Sequence, residues 1–500
     1  RYGYDPVTGN SAMPVPKDPG NGEGFKYSDL VSYANAMDQL SGQEIEENRF
    51  ASFYGALDYS LFDRYVLNVS FRTDGSNNFG SDEQFNPTWS AGAVWHVSEE
   101  TFMEVVRPVL SRLSLRVATG YTGNINKTVK PNLMMKYYKN FRISDDENYR
   151  MGYINNAPNP KLRWEKTRDV KVALDFGLWK DRINGIVEAY WRKSKDCVTS
   201  EYVPVTTGFF NQSYNTSVLQ NNGVEFSLSV AVLKSKDYNL SVSANVAWNQ
   251  NKLKKYNSPN TSLALDKYVG YPMGAVFSGK YEGIDPETGM YKFKLRPDAV
   301  TNKDGYLREP NNYYYYLGTS VAPFTGGFNL NFSYKNIGLS VGGSYSVKAK
   351  MVDNIESPAG YELLSGSKLE SIPTPHNDLY RNHLNVKREV RNRWTPENRT
   401  GVKYPRLIDA YGKKLGLDLT NPTLTTITRG ALLEDISYLR INTIALSYSL
   451  PQRVLERINF SSAALNLTLN NFFTITKYSG IDPEVPGATY PVSRSVTIGL

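Results

Sequence analysis

Few side chains in this sequence have the types and spacing that chemistry needs. Histidine occurs at His96, His376 and His383, and cysteine only at Cys197. A single cysteine excludes a disulfide framework and a thiolate zinc cluster. His96 falls on the polar side of an alternating segment, where a hydrogen-bonded wall residue is expected. Cys197 falls at a strand end and is expected to be inert. The acidic neighbours Asp145-Asp146 and Glu99-Glu100 lie between periodic segments, where a solvated surface is the ordinary outcome. Asp74-Gly75-Ser76-Asn77 starts like a calcium loop, but the Glu that should close it does not follow, so a turn is favoured. Gly283-Ile284-Asp285-Pro286-Glu287 recurs as Gly480-Ile481-Asp482-Pro483-Glu484; both read as proline-containing turns, not as a repeat unit. No P-loop, GxSxG or HExxH motif occurs. No catalytic residue, metal site or cofactor is therefore expected. The remaining candidates are the aromatic rings of Tyr313-Tyr314-Tyr315-Tyr316. Exposed aromatic planes stack on sugar rings or peptide groups. Contact with a substrate, contact with a partner and packing within the loop all stay open for this tract.

The elements that must carry these residues are strands. Val224, Phe226, Leu228, Val230 and Val232 alternate with Glu225, Ser227 and Ser229. Leu240, Val242, Ala244, Val246 and Trp248 alternate with Ser241, Ser243 and Asn245, and Phe328, Leu330, Phe332 and Tyr334 with Asn329, Asn331 and Ser333. Strand side chains point to opposite faces in turn, so each segment has an apolar and a polar face. About thirteen such segments are readable. They lie near 49–60, 63–74, 86–97, 111–121, 165–178, 181–194, 221–234, 237–250, 324–335, 337–348, 434–449, 460–473 and 492–500. In 434–449 the apolar set slips from Leu439 and Ile441 to Ile444 and Leu446, which predicts a bulge. Short helices are expected only near 100–106 and 451–458.

Composition narrows the class. The 500 residues carry 57 Lys and Arg against 49 Asp and Glu, a mild net charge of +8 spread along the chain. That gives no nucleic-acid footprint. No stretch approaches eighteen consecutive apolar residues, so helical membrane spans are excluded. With 36 Tyr, 21 Phe and 7 Trp the chain is too aromatic for disorder.

The connections alternate between short and long. Those near 61–63, 98–110, 179–181, 235–237, 336 and 450–459 are short; those near 75–85, 122–164, 195–220, 251–323, 351–433 and 474–491 are long. An antiparallel meander puts every second connection on one edge. One edge is thus expected to bear tight turns and the other long loops, as in outer-membrane barrels. The polar face is Ser, Asn, Thr and Gly rather than Lys and Glu, which suits a crowded wet lumen. Aromatic residues mark segment ends at Tyr59, Tyr65, Trp95, Tyr121, Trp179, Trp191, Trp248, Tyr334, Phe472 and Phe473, where headgroups meet hydrocarbon. On this reading Leu67, Val172, Phe226, Val242, Leu330 and Leu467 face lipid. Asn68, Arg72, Arg116, Lys171, Glu225 and Asn245 line the lumen.

Several blocks carry a family resemblance. They are Arg64-Tyr65-Val66-Leu67, Arg72-Thr73-Asp74-Gly75-Ser76-Asn77-Asn78-Phe79-Gly80, Trp89-Ser90-Ala91-Gly92 and Ser98-Glu99-Glu100-Thr101-Phe102-Met103. Then follow Gly120-Tyr121-Thr122-Gly123-Asn124, Leu162-Arg163-Trp164-Glu165-Lys166-Thr167 and Leu174-Asp175-Phe176-Gly177-Leu178. The last are Asn392-Arg393-Trp394-Thr395-Pro396-Glu397-Asn398, Tyr438-Leu439-Arg440-Ile441, Asn470-Asn471-Phe472-Phe473 and Lys477-Tyr478-Ser479-Gly480-Ile481-Asp482-Pro483-Glu484. From about residue 49 onward, and in family order, the chain resembles the C-terminal part of a SusC/RagA-type TonB-dependent transporter of Bacteroidota outer membranes.

The resemblance implies an all-β antiparallel transmembrane barrel with about thirteen C-terminal strands of twenty-two. It implies a plug and N-terminal strands absent from this sequence, so the closing strand 492–500 is expected to pair outside it. Residues 1–48, rich in Gly and Pro, are expected to be an extracellular extension, and 49–500 the barrel part. Implied partners are a SusD-like lipoprotein, TonB acting through the missing N-terminal part, the remaining strands and plug, and outer-membrane lipid or LPS. The implied cargo is a glycan or peptide, imported without catalysis. Two rivals stay open, a passive porin or adhesin barrel and a secreted all-β glycan-binding protein. The first needs no TonB; the second is soluble without detergent.

Overall fold

The computed structural model describes residues 49–124, 129, 131, 134–144, 147–209, 211–256, 268–287, 289, 291–299, 312–352, 392–402, 429–457, 459–486 and 490–500. Residues 1–48, the pair Asp145-Asp146, and His376 and His383 lie outside them. The chain divides into two units, Arg1–Ala51 and Ser52–Leu500. Apart from Phe50 and Ala51, the strands belong to the second unit.

The alternating segments are strands, and shorter strands that the alternation did not announce stand among them. In chain order the first are β1 (Phe50–Leu61), β2 (Tyr65–Ser76), β3 (Phe85–His96), β4 (Leu110–Asn124), β5 (Met134–Ser144), β6 (Glu147–Asn156), β7 (Glu165–Leu178), β8 (Ile183–Tyr202), β9 (Asn211–Lys234) and β10 (Tyr238–Lys255). Then come β11 (Ala275–Gly279), β12 (Tyr281–Ile284), β13 (Tyr291–Phe293), β14 (Tyr314–Thr319), β15 (Phe324–Tyr334), β16 (Ile337–Val347), β17 (Lys350–Val352), β18 (Leu433–Asp435), β19 (Tyr438–Ser449), β20 (Ala464–Thr476) and β21 (Ser495–Gly499). One 13-stranded sheet runs β1-β2-β3-β4-β7-β8-β9-β10-β15-β16-β19-β20-β21, a meander in chain order. The expected alternation of edges holds, but length does not separate them throughout: 77–84 and 203–210, on the edge of the long inserts, are shorter than 97–109 and 450–463 on the other. The remaining strands pair locally, β5 with β6, β11 with β14, β12 with β13 and β17 with β18, all inside or beside long connections.

Cross-strand partners share a face, so register tests the alternation directly. One continuous ladder runs Tyr65, Trp95, Leu115, Leu174, Val187, Phe226, Val246, Gly326, Tyr345, Leu439, Ile475. Offset by three residues, and so on the opposite face, another runs Asn68, Gly92, Ala118, Lys171, Tyr190, Gly223, Asn249. Across its middle the sheet therefore has one apolar and one polar face. At Gly223 a β-carbon would collide with Tyr190 Cζ, so the crossing of that ring over β9 requires glycine. The slip in β19 is a bulge: Asn442 is skipped between Ile441 and Thr443 in the pairing with β20.

Two expectations need correction. The stretch 195–220 is not a loop, because β8 and β9 stay paired to Tyr202 and Asn211. Beyond Trp191 both faces are polar, and register shifts at Ser194/Cys197 and Cys197/Val198 break the period. In place of a helix over 100–106 stand two 3₁₀ turns, Val97–Glu99 and Thr101–Met103. The helix near 451–458 is present as Gln452–Arg457.

The tight turns force bulky residues into the left-handed region. Phe62 and Asp63 have φ of 53° and 55°, and Trp179 and Lys180 have 51° and 58°. Such turns match the twist of a hairpin, at a cost of roughly 1–2 kcal/mol per non-glycine residue.

Candidate functional site: the polar wall and its outer cavity

The six residues expected on the lumen side lie on the polar face. Asn68 and Lys171 share a ladder, Arg116, Ala173, Glu188 and Glu225 form the next, and Asn245 faces Ser227. Arg72 faces Thr88. Their charges are largely paired. Arg116 Nε and a terminal guanidinium nitrogen donate to the two Asp175 oxygens at 2.6 and 3.0 Å. Lys171 Nζ lies 3.4 Å from Glu188, Arg192 Nε 2.9 Å from Asp169 and Arg72 Nε 2.7 Å from Asp74. Asn68 donates to Asp58, and Asn245 Oδ1 accepts from the Gly327 amide at 2.8 Å. Half-exposed pairs of this kind are worth about 0–1 kcal/mol each. They set a pattern of fixed charge and hydrogen-bonding groups along the polar face. His96 belongs to the same face, with Nδ1 3.0 Å from Ser114 Oγ.

Toward the edge with long connections, strands β7 to β10 and β11 enclose a cavity of about 910 Å³. Glu165, Thr199 and Ser217 supply its polar lining, and Leu253, Tyr268 and Met273 its apolar one. Glu165 is held by the Asn124 side-chain amide at 2.7 Å and the Val198 backbone amide at 2.9 Å. Ser217 is 4% exposed, and its hydroxyl has no hydrogen-bond partner among the described residues. Cys197 also lines this cavity, beyond the apolar rows of β8. Burial pushes its thiol up to about 11.

The tyrosine tract opens β14. Tyr316 packs with its ring centroid 4.9 Å from Tyr271 and 5.7 Å from Phe277, and Tyr268 closes on Phe277 at 4.9 Å. Tyr315 donates its hydroxyl to the Leu295 carbonyl at 3.1 Å. Packing thus engages Tyr315 and Tyr316, while one edge of Tyr316 remains exposed. Tyr313 and Tyr314 are half-buried beside them.

Three clusters escaped sequence reasoning, although all their side-chain members except Trp95 sit in the resemblance blocks. Arg440, 2% exposed on the polar face of β19, meets Asp482 at 2.5 Å and Glu484 at 3.1 Å from the last long connection. Burial of Asp482 opposes its ionisation. The Glu484 and Val492 amides and the Arg440 guanidinium outweigh that and hold the carboxyl below its usual range. At the other edge, Glu100 accepts from Tyr65 Oη at 2.5 Å, Trp95 Nε1 at 3.0 Å and Arg64 at 3.3 Å. The Tyr65 bond, then the Trp95 bond, lower its carboxyl. Phe79 stacks on Trp164 at 4.4 Å, and the Gly80 amide donates to the Leu162 carbonyl at 2.9 Å. Each cluster joins blocks far apart in sequence, so no local spacing announces it.

A meander of strands with one lipid-compatible face, tight turns on one edge and long inserts on the other is the wall of an outer-membrane β-barrel protein. Residues 17–355 match the family described as TonB dependent receptor-like, beta-barrel. The chain belongs to that family, and its relatives place it in the SusC/RagA type. It is 27% identical to the TonB-dependent receptor SusC of Bacteroides thetaiotaomicron, over 91% of this chain and 43% of that one. It is 26% identical to the TonB-dependent receptor P26 of Formosa agariphila, over 90% and 46%. The solved RagAB peptide transporter matches with a TM-score of 0.72 and 26% identity, covering 90% of this chain and 47% of that one. The chain spans about half the length of the relatives it matches. Its place is the outer membrane of Bacteroidota-like cells.

Proposed function

We propose that this chain forms the C-terminal wall of an outer-membrane importer for oligosaccharides or peptides. The transporter is energised through TonB and works with a SusD-like surface lipoprotein. Its role is transport and not catalysis. The carrying observation is the register-locked polar face, with Asn68, Arg72, Arg116, Lys171, Glu225 and Asn245 on one side of the sheet. Such a face gives polar cargo a hydrated path of alternating donors and acceptors. The long connections stand outside the cell on this reading, and the cavity above β7–β10 with Tyr313–Tyr316 nearby receives the cargo or the lipoprotein. Likeness to the RagAB peptide transporter supports the peptide class, and the part-exposed rings of the tyrosine tract suit oligosaccharides as well. The test is uptake of labelled oligosaccharide and peptide mixtures by cells carrying the full-length gene, with and without TonB. Uptake should stop when TonB is removed; unchanged uptake would identify a passive pore.

A further inference from the structure

Where the apolar rows end toward the long connections, the same face of the sheet turns basic. On β7 the apolar-face positions beyond Val170 are Arg168 and Lys166; on β8, beyond Trp191, they are Lys193 and Lys195; on β10, beyond Trp248, they are Gln250, Lys252 and Lys254. Register sets Arg168 directly opposite Lys193, and Lys166 directly opposite Lys195. The row continues from Lys193 to Gln220 and from Gln220 to Lys252. Like charges directly opposite on neighbouring strands destabilise a sheet, and here they occur in two consecutive pairs. The carboxylates of these strands serve the other face: Asp169 pairs with Arg192, Asp196 with Arg163, and Glu165 accepts from Asn124 and Val198. Among the described residues none of Lys166, Arg168, Lys193, Lys195, Lys252 and Lys254 has an ion-pair partner.

The geometry points to an anion that this patch holds, and we propose that it is the phosphorylated sugar headgroup of an outer-leaflet glycolipid. A phosphate set between opposed cations turns their repulsion into charge-assisted hydrogen bonds, bidentate from Arg168. Below it, Val170, Val172 and Leu174 on β7 and Trp191, Ala189 and Val187 on β8 continue the apolar face along which acyl chains lie. Tyr121, opposite Arg168, and the exposed Trp191 add the amphipathic rings expected at a headgroup boundary. Charge and apolar surface thus match the two ends of one amphiphile. The proposal rests on the long connections standing outside the cell.

The test uses the full-length transporter in detergent, with phosphorylated lipid A and its dephosphorylated counterpart as probes, read by native mass spectrometry. The wild type should retain the phosphorylated form about tenfold or more over the dephosphorylated one. The combined substitution Lys166→Gln, Arg168→Gln, Lys193→Gln and Lys195→Gln should abolish that preference. Lys193→Glu sets opposite charges across the strands, an arrangement that favours the sheet, so it should fold as well as the wild type and still lose the preference. Equal retention of both probes by the wild type, or a preference that survives in both variants, overturns the proposal. Impermeant labelling at Tyr314 in intact cells reports the direction of the long connections separately.

Discussion

At the scale of single residues, the carboxylates that matter most are far from any catalytic arrangement. Glu100 and Asp482 both have folded-state affinities for protons below their ordinary ones. A depressed carboxyl stabilises the fold above its unfolded pKa, and that contribution is lost as pH falls through the folded one. Thermal stability should therefore be level near neutrality and decline as pH falls through and below about 4, the ordinary carboxylate range. A scan of heat-modifiable gel mobility against pH would show it, and Glu100→Gln should flatten part of the decline. Asp482→Asn leaves the buried Arg440 with Glu484 as its remaining counter-ion and should cost about 1–3 kcal/mol, seen as a lower unfolding midpoint. The double substitution Asp482→Asn and Glu484→Gln leaves the buried charge unpaired and should cost about 3–5 kcal/mol; a change under about 1 kcal/mol in the double variant, the worth of a surface pair, would contradict the burial of Arg440. Cys197, with its thiol raised by burial, should resist maleimide at neutral pH in the folded protein. None of these features was legible in full: Cys197 was expected at a strand end, whereas β8 runs on past it to Tyr202. The Arg440–Asp482 pair spans two blocks whose contact depends on the last connection folding back onto the wall.

At the scale of strands, legibility follows solvent contrast. Each strand was readable wherever one face met an apolar medium and the other a polar one, as from Val224 to Val232. The β8–β9 hairpin became unreadable beyond Trp191, where Lys193 and Ser194 make both faces polar and a bulge shifts the period. The tyrosine tract was visible as a run of rings, but its packing against Tyr271 and Phe277 was not, because β11 and β14 pair across the 280–313 interval. Phe226 and Ser227 put the two faces to a direct test. Phe226→Lys at mid-sheet on the apolar face should cost about 2–4 kcal/mol, and Ser227→Lys on the polar face far less. Folding titrations into bilayers would measure both; equal costs would contradict the assignment of faces.

At the scale of the whole molecule, the alternation of tight turns and long inserts carries the orientation. Cysteines placed one at a time at Lys236 and Tyr314, with Cys197→Ser as background, should differ in intact cells. The impermeant reagent should reach Tyr314 and not Lys236, and equal labelling would sink the proposed topology. The register of β10 with β15 runs without a shift from Trp248–Phe324 to Tyr238–Tyr334, although residues 256–323 leave the sheet between them. β16 and β19 also meet across 348–437, with a single shift at Gly342/Gly343 where β19 bulges. The strands, and not the inserts, fix how the wall is assembled. Doubling an insert adds only about 0.6 kcal/mol of closure entropy. The wall and the material above it are thus separable problems: an insert can be lengthened, trimmed or exchanged while the pairing beneath it, held by the strands alone, stays as it is.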